Sequence, residues 1–234
     1  MSRISAVLFD FDGTLQEGDK DELYARLNEI SSRLKLGLTE EEVRQIGLST
    51  PDYREMRAQM VLRGNELNPG RNLTEEEFQR INVEVSGTFD DRFYLSEGTI
   101  ETLQFLRNGN YSVGLVTTRG GNSLPRLLER HGIVKYFGKA VVCRDNCKDR
   151  KPNPEPLHLG LSLLQASPSE AVYVGDSQRD DIGAAKNAGV ITIGVATGIY
   201  SEKDLKKART DFVLKNLKDK NKVQLVTKPE FAET

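Results

Sequence analysis

The sequence predicts an α/β protein, a parallel sheet flanked by helices, with a helical cap inserted after the first strand. Three observations carry this. From Ser96 onward, short apolar runs alternate with segments of helical period, the rhythm of a parallel sheet with crossover helices. From about 17 to 94 the chain shows helix periodicity and loops, with no strand pattern. Asp10 with Asp12, Thr117 and Asp176 each follow a different apolar run, and Lys151 lies in the loop after another. The core is therefore read as 1–15 with 96–234, and the cap as 16–95.

Ala6-Val7-Leu8-Phe9 is apolar without alternation, the mark of a short strand buried on both faces. Leu23, Leu27, Ile30 and Leu34 recur at helical spacing, with Gly37 as the stop. Thr39-Glu40-Glu41-Glu42 is a capping box for a second helix carrying Val43 and Ile46. Gly47-Leu48-Ser49-Thr50-Pro51 is expected to break it, and Pro51 to start the next helix, which carries Tyr53, Met56 and Met60 and ends near Gly64. Asn65 to Asn72 reads as loop, and Thr74-Glu75-Glu76-Glu77 opens a helix with Phe78, Ile81, Val85 and Phe89.

Beyond Ser96 the expected order is a helix with Ile100, Leu103 and Leu106, then a strand from Tyr111 to Val116. A helix with Leu124, Leu127 and Leu128 and a strand at Ala140–Val142 follow. Next come a helix with Leu157, Leu161 and Leu164, a strand at Ala171–Val174, a helix from about Asp181 to Ala188, and a strand at Val190–Val195. A lysine-rich helix near Glu202–Ala208 and a strand at Phe212–Leu214 close the pattern, and Val223–Val226 is expected to add a last strand.

At 37% hydrophobic and 29% charged, the 234 residues have the balance of a soluble protein able to bury a core. A net charge of -2 gives no basic field for nucleic acid or an anionic membrane. No run approaches a membrane span or a signal-peptide core, so a cytoplasmic protein is expected. Cys143 and Cys147 read as inert thiols, and His131 and His158 as helix-end or surface residues.

In open parallel sheets, ligands bind beyond the carboxyl ends of the strands. Asp10, Asp12, Asp176 and Asp180 or Asp181 would gather there with Thr117 and Lys151. Carboxylates so close raise one another's pKa unless a cation is bound, and oxygen ligands without histidine or thiolate suit Mg2+ best. A phosphate completes such a shell and accepts from Lys151 and Thr117. A carboxylate such as Asp10 can attack phosphorus, while one two residues on protonates the leaving oxygen and then activates water.

The segments DFDGTL (10–15), VGLVTT (113–118), KPNPEP (151–156) and GDSQRDD (175–181), in this order, resemble the four motifs of the haloacid dehalogenase superfamily. The resemblance implies a Rossmann-like three-layer core with a mobile helical cap. It makes Asp10 the nucleophile, Asp12 the general acid/base, Thr117 the phosphate-binding hydroxyl and Lys151 the neutralising lysine. Mg2+ would be held by the side chains of Asp10 and Asp176 and the carbonyl of Asp12, supported by Asp180 and Asp181. Members that break carbon–halogen bonds lack an acid where Asp12 stands, so Asp12 with Asp176 implies phosphoryl transfer.

The closest likeness is to phosphoglycolate phosphatase-like members. The expected substrate is a small phosphorylated metabolite, such as phosphoglycolate, a sugar phosphate or a nucleotide, and the protein a monomer or homodimer. A phosphomutase, and a non-catalytic binding protein on the same fold, are the alternatives. Thr118 and Arg119, with Gly47, Ser49 and Thr50 of the cap loop, are the expected substrate contacts, and Arg54 and Arg57 follow that loop.

Overall fold

A computed structural model describes residues 3–18, 20–50 and 53–218. In chain order its elements are β1 (Ala6–Phe9), β2 (Gln16–Glu17), α1 (Lys20–Arg33), α2 (Glu40–Ser49), α3 (Tyr53–Leu67), α4 (Glu75–Phe89), β3 (Tyr94–Leu95), α5 (Thr99–Asn108), β4 (Ser112–Val116), α6 (Leu124–Arg130), α7 (Val134–Phe137), β5 (Val141–Val142), α8 (Glu155–Leu164), β6 (Ala171–Gly175), α9 (Gly183–Asn187), β7 (Ile191–Val195), α10 (Glu202–Lys207) and β8 (Phe212–Leu214). They fall into two compact units, Met1–Glu17 with Tyr94–Thr234, and Gly18–Phe93. Among the described residues no helix is long and apolar enough to cross a membrane.

The first unit is built on a six-stranded sheet of order β5-β4-β1-β6-β7-β8. Every pairing in it is parallel, with Ala6 opposite Ser112 of β4 and Ala171 of β6. With the β2–β3 ribbon set aside, this is the 3-2-1-4-5-6 order of doubly wound folds, whose reversal point lies at the central strand. The strand sequences follow from burial on both faces. Val7 and Phe9 of β1 pack with Leu103 and Leu106 of α5 and Leu127 of α6. Ala6 and Leu8 pack on the opposite face with Leu157 and Leu161 of α8 and Ala184 and Ala185 of α9. A strand between two helical layers has no polar side, so its residues are apolar without alternation. Three layers result, as the resemblance implied.

The second unit is all helical. Leu27 and Ile30 of α1, Val43 of α2, Met56 and Met60 of α3, and Phe78 and Val85 of α4 form its core. Both capping boxes are made: Thr39 and Glu42 exchange bonds at the start of α2, and Thr74 and Glu77 at the start of α4.

The structure corrects several expectations. α2 does not break at Gly47; Gly47, Leu48 and Ser49 form its last turn, and Thr50 is the buried C-cap. The glycine is there for close approach, because a Cβ on Gly47 would lie 2.5 Å from Cε1 of Tyr24. Ser49 likewise belongs to the helix, its hydroxyl donating to the Ile46 carbonyl at 3.2 Å. α3 runs past Gly64 to Leu67, where a Cβ on Gly64 would meet Leu36 at 2.9 Å. A helix-interior glycine is a poor stop when a neighbouring side chain fills its missing methyl. The stretch read as strand-free reaches at its two ends into both strands of the antiparallel ribbon, Glu17 pairing with Tyr94 and Gln16 with Leu95. Two-residue strands carry too little pattern to be seen in sequence. The short helix α7 was also not expected, and the helix expected from Asp181 begins instead as a π turn over Gln178–Ile182. Pro51 and Val223–Val226 lie outside the described residues.

Candidate active site

Asp10 stands one residue beyond β1, its amide donating to the Val174 carbonyl of β6 at 2.8 Å. Thr117 stands one residue beyond β4 and Asp176 one beyond β6. The sheet thus delivers these three side chains to its carboxyl edge at the reversal point.

Lys151 ties the edge together. Its buried ammonium donates to Asp10 Oδ1 at 2.7 Å, Asp181 Oδ1 at 2.5 Å and the Tyr173 hydroxyl at 2.8 Å, with the Val116 carbonyl at 3.3 Å. Burial opposes this charge, but Asp10 and Asp181 outweigh it and hold the ammonium well above the ordinary lysine range. Asp181 is 1% exposed. Its Oδ2 accepts the amides of Asp176 at 3.1 Å and Ser177 at 2.9 Å, so it fixes the loop that carries Asp176. Asp10, Asp176 and Asp181 each place a carboxylate oxygen within 4.8 Å of the others. Asp180 is not part of that group.

Three carboxylates face one ammonium here, and the imbalance shows in the acidity of Asp10 and Asp176. Burial, and then Asp181, push the Asp10 carboxyl from 3.8 up to about 8 against the pull of Lys151. Burial, then Asp181 and Asp10, hold Asp176 well above the carboxylate range. A hard divalent cation among these oxygens would supply the missing charge. Asp176 fits closely in its place, since a Cβ on Gly13 (φ +82) would lie 2.5 Å from its Oδ2 and one on Gly198 even closer.

Asp12 lies on the same loop. Arg119 grips its carboxylate with two bonds, Nε to Oδ2 at 2.9 Å and Nη2 to Oδ1 at 2.6 Å. Arg119, expected to contact substrate, has its guanidinium on Asp12, because the loop after β4 faces the loop after β1. Thr117 is buried and its Oγ1 accepts the Arg119 amide at 3.1 Å, while Thr118 is exposed. Gly47, Ser49 and Thr50 belong to the helical unit, as does Arg57, which pairs with Glu75 and Gln79.

Three participants were missed in the sequence. Tyr173, inside β6, is fully buried and its hydroxyl reaches Lys151, Asp181 Oδ1 at 3.0 Å and the Val116 carbonyl at 3.1 Å. A tyrosine in a strand buried on both faces needs a hydroxyl partner, and that signal was present. Gln16 and His131 are the others: Gln16 Nε2 donates to Asp12 Oδ1 at 2.7 Å, and His131 Nε2 lies 3.0 Å from Gln16 Oε1. No local spacing links residue 131 to residue 16.

The family model for haloacid dehalogenase-like hydrolases matches residues 7–195. The chain is 31% identical over 225 residues to a phosphoglycolate phosphatase of Vibrio parahaemolyticus, covering 92% of this chain and 94% of that protein. It is also 31% identical over 218 residues to the pyrophosphatase PpaX of Bacillus velezensis, covering 93% and 94%. Among solved structures, a beta-phosphoglucomutase candidate from Thermotoga maritima superposes with a TM-score of 0.71 at 26% identity, covering 95% of this chain and all of that one (100%). With the sheet order, the carboxyl-edge acids and these matches in agreement, the chain belongs to the haloacid dehalogenase-like hydrolase family.

Proposed function

We propose that the protein is a Mg2+-dependent phosphatase of a small phosphorylated metabolite, working through an aspartyl-phosphate on Asp10. The observation that supports this best is the set of Asp10, Asp176 and Asp181 around Lys151, with Asp12 on the adjoining loop. Asp10 and Asp176 would hold the cation, with the Asp12 carbonyl; Asp181 acts behind them through Lys151 and the Asp176 loop. When bound, such a cation would supply positive charge to the phosphoryl oxygens and would keep Asp10 ionised.

An Asp10 carboxylate oxygen attacks phosphorus, the ester P–O bond breaks, and the leaving oxygen takes a proton from Asp12. Water then attacks the same phosphorus and gives its proton to Asp12, and the P–O bond to Asp10 breaks with its electrons returning to the carboxylate. The Asp12 carboxylate that Arg119 stabilises is the form required for this second step. Lys151 and Thr117 bind phosphoryl oxygens. The helical unit is the cap in this reading and selects the substrate, with Gly47, Ser49 and Thr50 among its contacts and Thr118 on the core side. The protein works in the cytoplasm as a monomer or homodimer.

Phosphate release from an aryl phosphate, measured with Mg2+ and with chelator, tests the proposal. Release only with Mg2+, lost in Asp10→Asn, supports it; full-rate release by Asp10→Asn overturns the nucleophile. The likeness to the beta-phosphoglucomutase candidate favours a second reading, phosphoryl return to the substrate. An isomerised sugar phosphate without free phosphate would select it.

A further inference from the structure

We propose that Gln16 and His131 are positioning residues that hold the Asp12 carboxylate in its working orientation. The inference rests on the phosphatase reading above and names two residues outside its four motifs. A carboxylate only accepts, so the Gln16 amide must turn its NH2 toward Asp12 Oδ1, at 2.7 Å. Its oxygen then faces His131 Nε2 at 3.0 Å, and that nitrogen must donate. The direction of the chain is thereby set: His131 Nε2–H to Gln16 Oε1, Gln16 Nε2–H to Asp12 Oδ1.

The relay is built rather than incidental. Gln16 is fully buried. Its main chain closes the Asp12 loop, the Gly13 amide donating to the Gln16 carbonyl at 2.7 Å and the Gln16 amide to the Phe11 carbonyl at 3.0 Å. The His131 ring meets Phe11 edge-on, with centroids 6.4 Å apart and planes at 62°. Burial, and then Arg130, favour its neutral form, and the bond to Gln16 Oε1 then requires the Nε2–H tautomer. Arg119 and Gln16 together place two donors on Oδ1 and one on Oδ2, which fixes the carboxylate plane. General-base catalysis depends on such placement.

The test uses p-nitrophenyl phosphate, whose leaving group departs as a stable anion, so only the second step requires Asp12. Gln16→Met is expected to lower kcat about tenfold and KM in parallel, with kcat/KM held within about twofold. A burst of nitrophenolate should appear as the aspartyl-phosphate accumulates. His131→Phe should act alike, and His131→Gln, which keeps a donor, should recover part of the loss. Equal falls in kcat and kcat/KM, or no change in either, would overturn the relay. Long-range proton–nitrogen spectra of the wild-type imidazoles give an independent decision. An Nε2–H tautomer of His131 that shifts in Gln16→Met supports the relay, and an Nδ1–H tautomer refutes it. If the wild type releases no phosphate, the phosphatase reading fails, while the spectra still decide the relay geometry.

Discussion

Replacing Asp10 by Asn should make the metal-free protein more stable, and increasingly so as pH rises above the ordinary carboxylate range. Asp10 is 5% exposed, and its carboxyl is raised in the fold from 3.8 to about 8. The native state therefore binds more protons than the unfolded chain between these values. Stability is fully present below the lower value and is lost as pH rises toward the upper one. Four pKa units correspond to about 5 kcal/mol, an upper figure because the interior relaxes around a new charge. Asn keeps an oxygen for Lys151 Nζ and removes the titration. Urea denaturation of chelator-treated wild type and Asp10→Asn at pH 5, 6.5 and 8 reads the difference. The two should be closest at pH 5, and the variant's advantage should grow to about 2–5 kcal/mol at pH 8. Saturating Mg2+ at pH 8 should stabilise the wild type and narrow the gap, because the cation binds the ionised form. A difference independent of pH, or a variant less stable at pH 8 without metal, would refute the account of three carboxylates against one ammonium.

Other substitutions probe the same structure. Lys151→Met should destabilise the metal-free protein by roughly 3–5 kcal/mol at pH 8, since it strips the buried partner from Asp10 and Asp181; urea midpoints check this. Tyr173→Phe should cost only about 1–2 kcal/mol by the same measurement, because the third ammonium proton can turn to the Val116 carbonyl at 3.3 Å. Asp12→Asn should lower steady-state phosphate release about 10²–10⁴-fold with little change in thermal midpoint. Gly47→Ala should lower the melting temperature, with a cost of about 1–3 kcal/mol from the Tyr24 clash at 2.5 Å, although alanine in an open helix position gains about 1 kcal/mol.

Most of the sheet was legible because its strands are buried on both faces and advertise themselves as unbroken apolar runs. The long helices of the second unit were legible through capping boxes and spacing. Their ends were not: Gly47 and Gly64 were taken as stops because the ring of Tyr24 and the side chain of Leu36 that fill the space beside them come from another part of the chain. The acids at the strand ends were legible because carboxylates after buried strands demand a reason. Arg119 was legible as a charge near the site, but its partner was not, since Asp12 is 107 residues away.

By itself the sequence determined the fold class and pointed to the carboxyl edge of the sheet, where Asp10, Asp12, Thr117, Lys151 and Asp176 are gathered. These follow from local pattern, in which each strand carries its terminal residue to the same side. Only the tertiary structure decided which side chains bond to one another there. It set Asp181 rather than Asp180 beside Lys151, brought Tyr173 to the same ammonium, turned Arg119 onto Asp12, and joined His131 through Gln16 to that carboxylate. Hydrogen bonds between distant segments have no period and no spacing in sequence. They exist only once the sheet has brought the loops within about 3 Å of one another.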